Sequence, residues 1–138
     1  MPGKSDFLEN AVLNTVLRGV AFPTLTNCFV SLHTADPTDA GTGTEVSGGS
    51  YARVSVSRAT GSWAAPADVS GAQSTSNSNL ITFPSPTANW GTVTHVGIFD
   101  ASSAGNLLYS AALTTSRTIN NGDGAPSFAI GALTISES

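Results

Sequence analysis

The residues in this sequence that could do chemistry fall into a few groups, and the densest runs from Asp36 to Arg53, "DPTDAGTGTEVSGGSYAR". Gly41-Thr42-Gly43 could open a dinucleotide fingerprint, in which backbone N–H groups at a helix start meet a pyrophosphate. That motif needs a third glycine at its sixth position and a helix behind it. Val46 stands there instead, and strand-like "YARVSV" follows. No phosphate cradle is expected. His33, Asp36, Asp39 and Glu45 could surround a hard cation, which takes flexible carboxylate and carbonyl oxygens. The alternating D-x-D-x-D-G order is missing, however, and Asp36 before Pro37 is an ordinary turn starter. The expectation is therefore a turn with solvated carboxylates, with no metal and no cofactor. For nucleophilic catalysis, Cys28 or a serine would pair with His33 or His95 and an acid such as Asp100. His95 falls in phase with Val93, Gly97 and Phe99, which points it at the core or a subunit interface. No G-x-S-x-G elbow occurs, and the carboxylates form no visible pair at glycosidase separation. The chain is not expected to be an enzyme. Trp63 and Trp90 sit in loop-like contexts, where an indole can stack on sugar, anchor a protein contact or fold over the end of a sheet. Trp90, just before a core strand, is expected to pack.

Composition narrows the partners. Charged residues are only 10% of the 138, with five Lys and Arg against nine Asp and Glu for a formal charge of -4. Ser, Thr, Gly, Ala and Asn fill the gap, the chemistry of β-rich surfaces that meet other protein. Duplex DNA demands clustered phosphate-neutralising cations, whereas Lys4, Arg18, Arg53, Arg58 and Arg117 are scattered, so nucleic acid is not an expected ligand. Cys28 is alone, which excludes an internal disulfide. Its phase with Val30 and Leu32 reads as a small buried hydrophobe. Asp6, Glu9, Asn10 and Asn14 interrupt the apolar run a signal peptide would need. No stretch approaches the roughly 20 apolar residues of a membrane span. The chain is expected to be made in a cytoplasm.

The elements that must position these residues follow from periodicity. Residues 1–5 read as a flexible N-terminal arm, with Ser5 as an N-cap. Leu8, Ala11, Val12, Thr15 and Val16 make one apolar face of a helix over 6–18, with Asp6 and Glu9 in its first turn, Arg18 in its last and Gly19 ending it. The rest reads as strands. They cover 27–35, 51–59 and 80–83, then 92–100 in a hairpin with 106–113, then 116–120 and 127–136, with a short edge strand expected inside residues 60–79. In the last strand the alternation changes parity at Gly131, where a bulge would sit. One helix followed by seven or eight short strands predicts a single domain: a mainly β, antiparallel β-sandwich or jelly roll with one N-terminal α-helix. The strands would occupy 27–136.

"SDFLENAVLNTVLRGVAF", "VSLHTADPTDAGTGTEVSGGSYARVSV" and "NWGTVTHVGIFDASSAGNLLYSAALTTSRTINNGD" together resemble a family of small tailed-bacteriophage virion proteins. The likeness covers most of the chain and is weakest at residues 60–78. Many members carry the label tail fibre protein, and others of similar size resemble capsid decoration (cement) proteins, small β-sandwich or jelly-roll oligomers on the head exterior. The chain shows no heptads, collagen-like or β-helical repeat from which a fibre shaft could be built. The resemblance therefore implies a capsid decoration protein that binds the outer capsid surface and bridges capsomers. The alternative is a tail or fibre-associated protein contacting the host surface. In the decoration reading the chain is assembled in the host cytoplasm onto the capsid exterior. Its partners are the major capsid protein and copies of itself, with a trimer ahead of a dimer. Contact is expected through the segment Pro2–Phe7 and the loop Asp36–Ser50 with its flank, specifically Pro2, Lys4, Phe7, Asp36, Asp39, Glu45, Tyr51 and Arg53.

Overall fold

The computed structural model describes residues 3–137. Pro2, one of the expected contact residues, lies outside them. The chain runs β1 (Gly3–Lys4), α1 (Asp6–Arg18), β2 (Asn27–His33), β3 (Val54–Ser57), β4 (Ala67–Val69), β5 (Ala72–Ser76), β6 (Ile81–Thr82), β7 (Gly91–Phe99), β8 (Leu107–Ile119), β9 (Ser127–Phe128) and β10 (Thr134–Glu137). Every pairing among these is antiparallel. A five-stranded sheet in the order β1-β8-β7-β2-β3 faces a three-stranded sheet β10-β5-β4 and a two-stranded sheet β6-β9. The fold is mainly β and sandwich-like with one helix, as the strand and turn pattern predicts.

The core lies between the sheets. Val30, Leu32, Val96, Ile98 and Leu108 come from the large sheet, and Ile81, Phe83, Leu133 and Ile135 come from the opposite side. Alternation along the strands produces this division, since every second side chain points inward. In β7 the register shifts between Val93 and His95. That irregularity lets Val93, Val96 and Ile98 all reach the same core, so His95 does not share the inward face of Val93 as its spacing suggests. Gly97 lies where side chains of β2 fill the space a side chain of its own would need. A Cβ there would stand 2.7 Å from Ser31 Oγ and 2.9 Å from His33 Nε2.

The helix forms over the residues the capping pattern predicts. Ser5 accepts the Leu8 N–H at 3.2 Å and its hydroxyl donates to the Leu107 carbonyl, so one side chain both starts the helix and ties it to β8. Gly19 ends it with φ 68°, and the Val20 N–H reaches back to the Asn14 carbonyl at 3.0 Å. Leu8 and Ala11 are buried, and Val12 packs against the core. Val16 is not on that face, being 71% exposed. The helix is apolar on two sides, and the spacing alone does not say which side the sheet takes.

Four other expectations are corrected. The N-terminal arm is ordered from Gly3, because Gly3 and Lys4 pair with Ser110 and Tyr109 as an edge strand. Residues 106–113 and 116–120 are not two strands but parts of β8, a strand of 13 residues. Its run of Thr and Ser is an exposed stretch, not a turn. The parity change at Gly131 is not a bulge. The chain there leaves the small sheet for the three-stranded one, with Gly131 at φ 79°. Buried Asn77 fixes that crossing by donating to the carbonyls of Asn79 and Ala129 and accepting the Leu133 N–H. Residues 60–79 hold two strands, β4 and β5, in place of one.

Candidate functional site

The residues from Thr34 to Arg53 have almost no strand structure, yet they are closely held. The Thr34 N–H bonds the Thr44 carbonyl and the Val46 N–H bonds the Leu32 carbonyl, both at 2.9 Å, so the loop returns alongside the end of β2. Pro37 is buried, and its carbonyl accepts the N–H groups of both Thr42 and Gly43 at 2.7 and 3.2 Å. Asp36 Oδ1 accepts the Thr38 N–H at 2.8 Å, the turn that an Asp before Pro initiates. Gly43 has no room for a side chain, since a Cβ would lie 2.3 Å from the Asp36 carbonyl oxygen.

Glu45, Tyr51 and Arg53 fasten this loop to the sheet. The Glu45 carboxylate accepts Arg53 Nε on one oxygen and Arg53 Nη2 on the other, both at 2.8 Å, and the Tyr51 hydroxyl at 2.7 Å. The remaining Arg53 nitrogen, Nη1, donates to the carbonyls of Ala101 and Ala104 at 2.8 Å, in the turn between β7 and β8. A planar five-donor fork suits this double task, which an ammonium could not perform. The guanidinium also lies 3.7 Å above the Phe99 ring, and Phe99 stacks on His33 with centroids 6.0 Å apart. Tyr51 accepts the Leu32 N–H and meets Trp90 edge-on at 5.4 Å, while the Trp90 indole donates to the Gly49 carbonyl. Trp90 packs as its position predicts.

The electrostatics follow from this geometry. Burial alone would raise the Glu45 pKa, but the hydrogen bonds from Arg53 and Tyr51 and the Arg53 charge hold it below the ordinary carboxylate value. Burial and the bond to Glu45 push the Tyr51 phenol far upward. His33, only 1% exposed, is kept neutral chiefly by burial, against a weaker opposing pull from Glu45. Its Nε2 is 2.8 Å from Ser31 Oγ. This Ser–His pair is fully buried, with no path for a substrate to reach it.

The four candidate cation ligands are therefore turned to separate tasks. Glu45 is bound by Arg53, His33 by Ser31 and Asp36 by its own turn. Asp39 is exposed, and beyond its own turn Asp36 approaches His95 at a loose 4.0 Å. Among the described residues no group of three or more His, Cys, Asp or Glu is placed to hold a metal ion. The Gly3-Lys4-Ser5 tripeptide resembles the end of a P-loop but is built into β1 and the helix cap, with Lys4 Nζ against Glu137 at 2.5 Å.

The expected contact residues separate into two kinds. Asp36 and Asp39 are exposed on the outer face of the loop, with Thr38, Thr42 and Thr44 beside them. Glu45, Tyr51 and Arg53 lie behind that face, partly buried and bonded to one another. Lys4 and Phe7 are half-buried, and Phe7 packs on the core. The two expected contact segments touch, because the Asp6 N–H donates to the Asp39 carbonyl at 2.9 Å. The beginning of the helix and the tip of the loop thus form one continuous surface. Sequence spacing does not reveal this join, which depends on a backbone bond between distant segments.

A concave feature opens between the large sheet and the three-stranded sheet. It is a groove of about 860 Å³ whose walls include Leu25, Cys28, Trp63, Ile98, Tyr109 and Ile135. Arg58 stands at its edge and donates to the Leu25 carbonyl. Trp63 is half-buried here, and burial raises the pKa of the free Cys28 thiol.

None of the curated proteins searched matches the chain. Residues 3–136 match the family described as podophage GP4 fiber I protein gp80. That match takes in the helix, the braced loop and every strand but the last residue of β10. The chain belongs to the podophage GP4 fiber I protein gp80 family, a family of phage virion proteins.

Proposed function

We propose that this chain is a non-catalytic structural unit of a tailed-phage virion, a fibre component that seats on the particle through the surface made by the 36–44 loop tip and the start of α1. The observation that carries this reading is the brace of Glu45, Tyr51 and Arg53. It holds a polar, exposed loop in one shape, so contact with a partner does not have to order that loop first. The family description, which names a fibre protein, supports the fibre assignment. A surface of Asp36, Thr38, Asp39, Thr42 and Thr44 offers hydrogen-bonding groups and negative charge to a protein partner. No reacting group stands exposed behind it.

A second reading, capsid decoration, draws on a different observation. The described residues fold as a sandwich and form no shaft, which suits a plug over the joints between capsomers. There the partner would be the major capsid protein, and many weak copies would add up by avidity. A map of the virion with this chain located separates the two, since density at the tail or its fibres supports the first and density across the head lattice the second. Deleting residues 38–42 tests the surface itself. The shortened protein is expected to stay off particles that lack the wild-type chain. Occupancy at the wild-type level would overturn the assignment of the loop in both readings.

A further inference from the structure

The second half of α1 carries an apolar face that nothing among the described residues covers. Leu13, Val16, Leu17 and Val20 are 55, 71, 75 and 47% exposed, and Phe22 follows at 39%. Together they expose roughly 500 Å² of apolar surface, at the upper end of the largest patch on an ordinary monomer. We propose that this face is where a second copy of the chain packs, the two α1 helices crossing antiparallel about a twofold axis between Val16 and Leu17. This names the partner of a self-associating virion protein, and it rests on that structural reading.

The pattern points to a second copy in two ways. Positions 13, 16 and 17 stand at i, i+3 and i+4 on one face of α1, and Val20 follows just past the Gly19 cap. An antiparallel copy with its axis between them sets Val16 against the partner's Leu17 on both sides of the axis. Such self-complementarity is what an isologous contact requires. The polar end of the same face fixes the direction. Asp6, Glu9 and Asn10 continue the stripe toward the helix start, all of them exposed. Parallel helices would bring the acids of both copies together, whereas antiparallel helices place them at opposite ends of the contact. The area is sufficient as well. Two such faces bury about 1,000 Å², the lower bound for a specific interface.

The test uses the full chain in solution, away from any virion, so that its outcome does not depend on where the protein sits in the particle. Sedimentation equilibrium over a range of concentrations is expected to give a monomer–dimer equilibrium for the wild type. Leu17→Glu is expected to give a monomer at every concentration, with an unchanged circular dichroism spectrum. A cysteine pair checks the geometry. In a Cys28→Ser background, Leu17→Cys is expected to form a disulfide-linked dimer on mild oxidation, and Asn10→Cys is not. A wild-type chain that stays monomeric overturns the proposal. So does an oligomer whose mass is unchanged by Leu17→Glu, or a trimer, which a twofold helix pair cannot make.

Discussion

The loop from Thr34 to Arg53 and the helix α1 invert what their appearance suggests. The loop has little regular structure, yet its buried charges are paired, its turns are capped and its tight approaches at positions 43 and 49 are taken by glycines. The helix is regular and capped at both ends, but its last two turns leave three large aliphatic side chains in water. Secondary structure reports only where backbone hydrogen bonds go, and side chains decide whether a region is finished. The loop is finished within the chain. The helix is not.

Substitutions can break or sharpen that contrast, beginning with the brace. Arg53→Met leaves the Glu45 carboxylate partly buried without its cation and frees two carbonyls, and is expected to cost about 3 kcal/mol in urea unfolding. Arg53→Lys is expected to recover little of it, since one ammonium cannot serve Glu45 and the 101–104 turn together. Gly43→Ala forces a methyl against the Asp36–Pro37 backbone and is expected to cost about 2 kcal/mol by the same measurement. If both variants unfold like the wild type, the loop is not held as described.

Acid should separate two groups behind the loop. His33 has its pKa lowered from 6.5 and Glu45 from 4.5 in the folded chain. For both, the unfolded chain binds the proton first, so the stabilisation is complete above the unfolded value and is lost as pH falls toward the folded one. Unfolding free energy is expected to decline in two stages, first below about 6.5 and again below about 4.5. His33→Gln is expected to remove the first stage and keep the second. A single acid transition in the wild type would count against a neutral, buried His33.

The smallest effects belong to exposed positions. Leu17→Glu on the helix and Asp39→Ala on the loop are each expected to change stability by no more than about 0.5 kcal/mol. They should differ in what they abolish, Leu17→Glu ending self-association and Asp39→Ala lowering occupancy on the particle. A binding assay on particles and a sedimentation run on the free chain read the two losses apart.

Much of this was legible in the sequence. The helix bounds follow from Ser5, the acidic first turn and Gly19, all of which act locally. β2 and β7 follow from strict alternation. Where the reading went astray, a tertiary choice stood behind it. Val16 fits the inward stripe by spacing, but a helix apolar on both sides needs the sheet to decide which side is inside. Thr114 to Ser116 in β8 look like a break because polar residues on an exposed strand resemble those of a turn. The parity change at Gly131 was visible, and its cause, a crossing between sheets tied down by Asn77, was not. In the loop, residue types identified Glu45, Tyr51 and Arg53 as important but not as partners of one another. Tyr51 and Arg53 share a face by strand spacing, but turns separate them from Glu45, so only the fold brings all three to one point.

The brace behind the 36–44 tip has an evolutionary consequence. Apart from Asp36, which is exposed and also holds its own turn, the residues that hold the loop's shape and those that face outward are different residues. Thr38, Asp39, Thr42 and Thr44 can therefore change as a partner surface changes, with little penalty in folding, while Glu45, Tyr51 and Arg53 stay fixed. Divergent members of the family are expected to vary at the tip and keep the brace, which would let one scaffold follow a changing binding surface without being rebuilt.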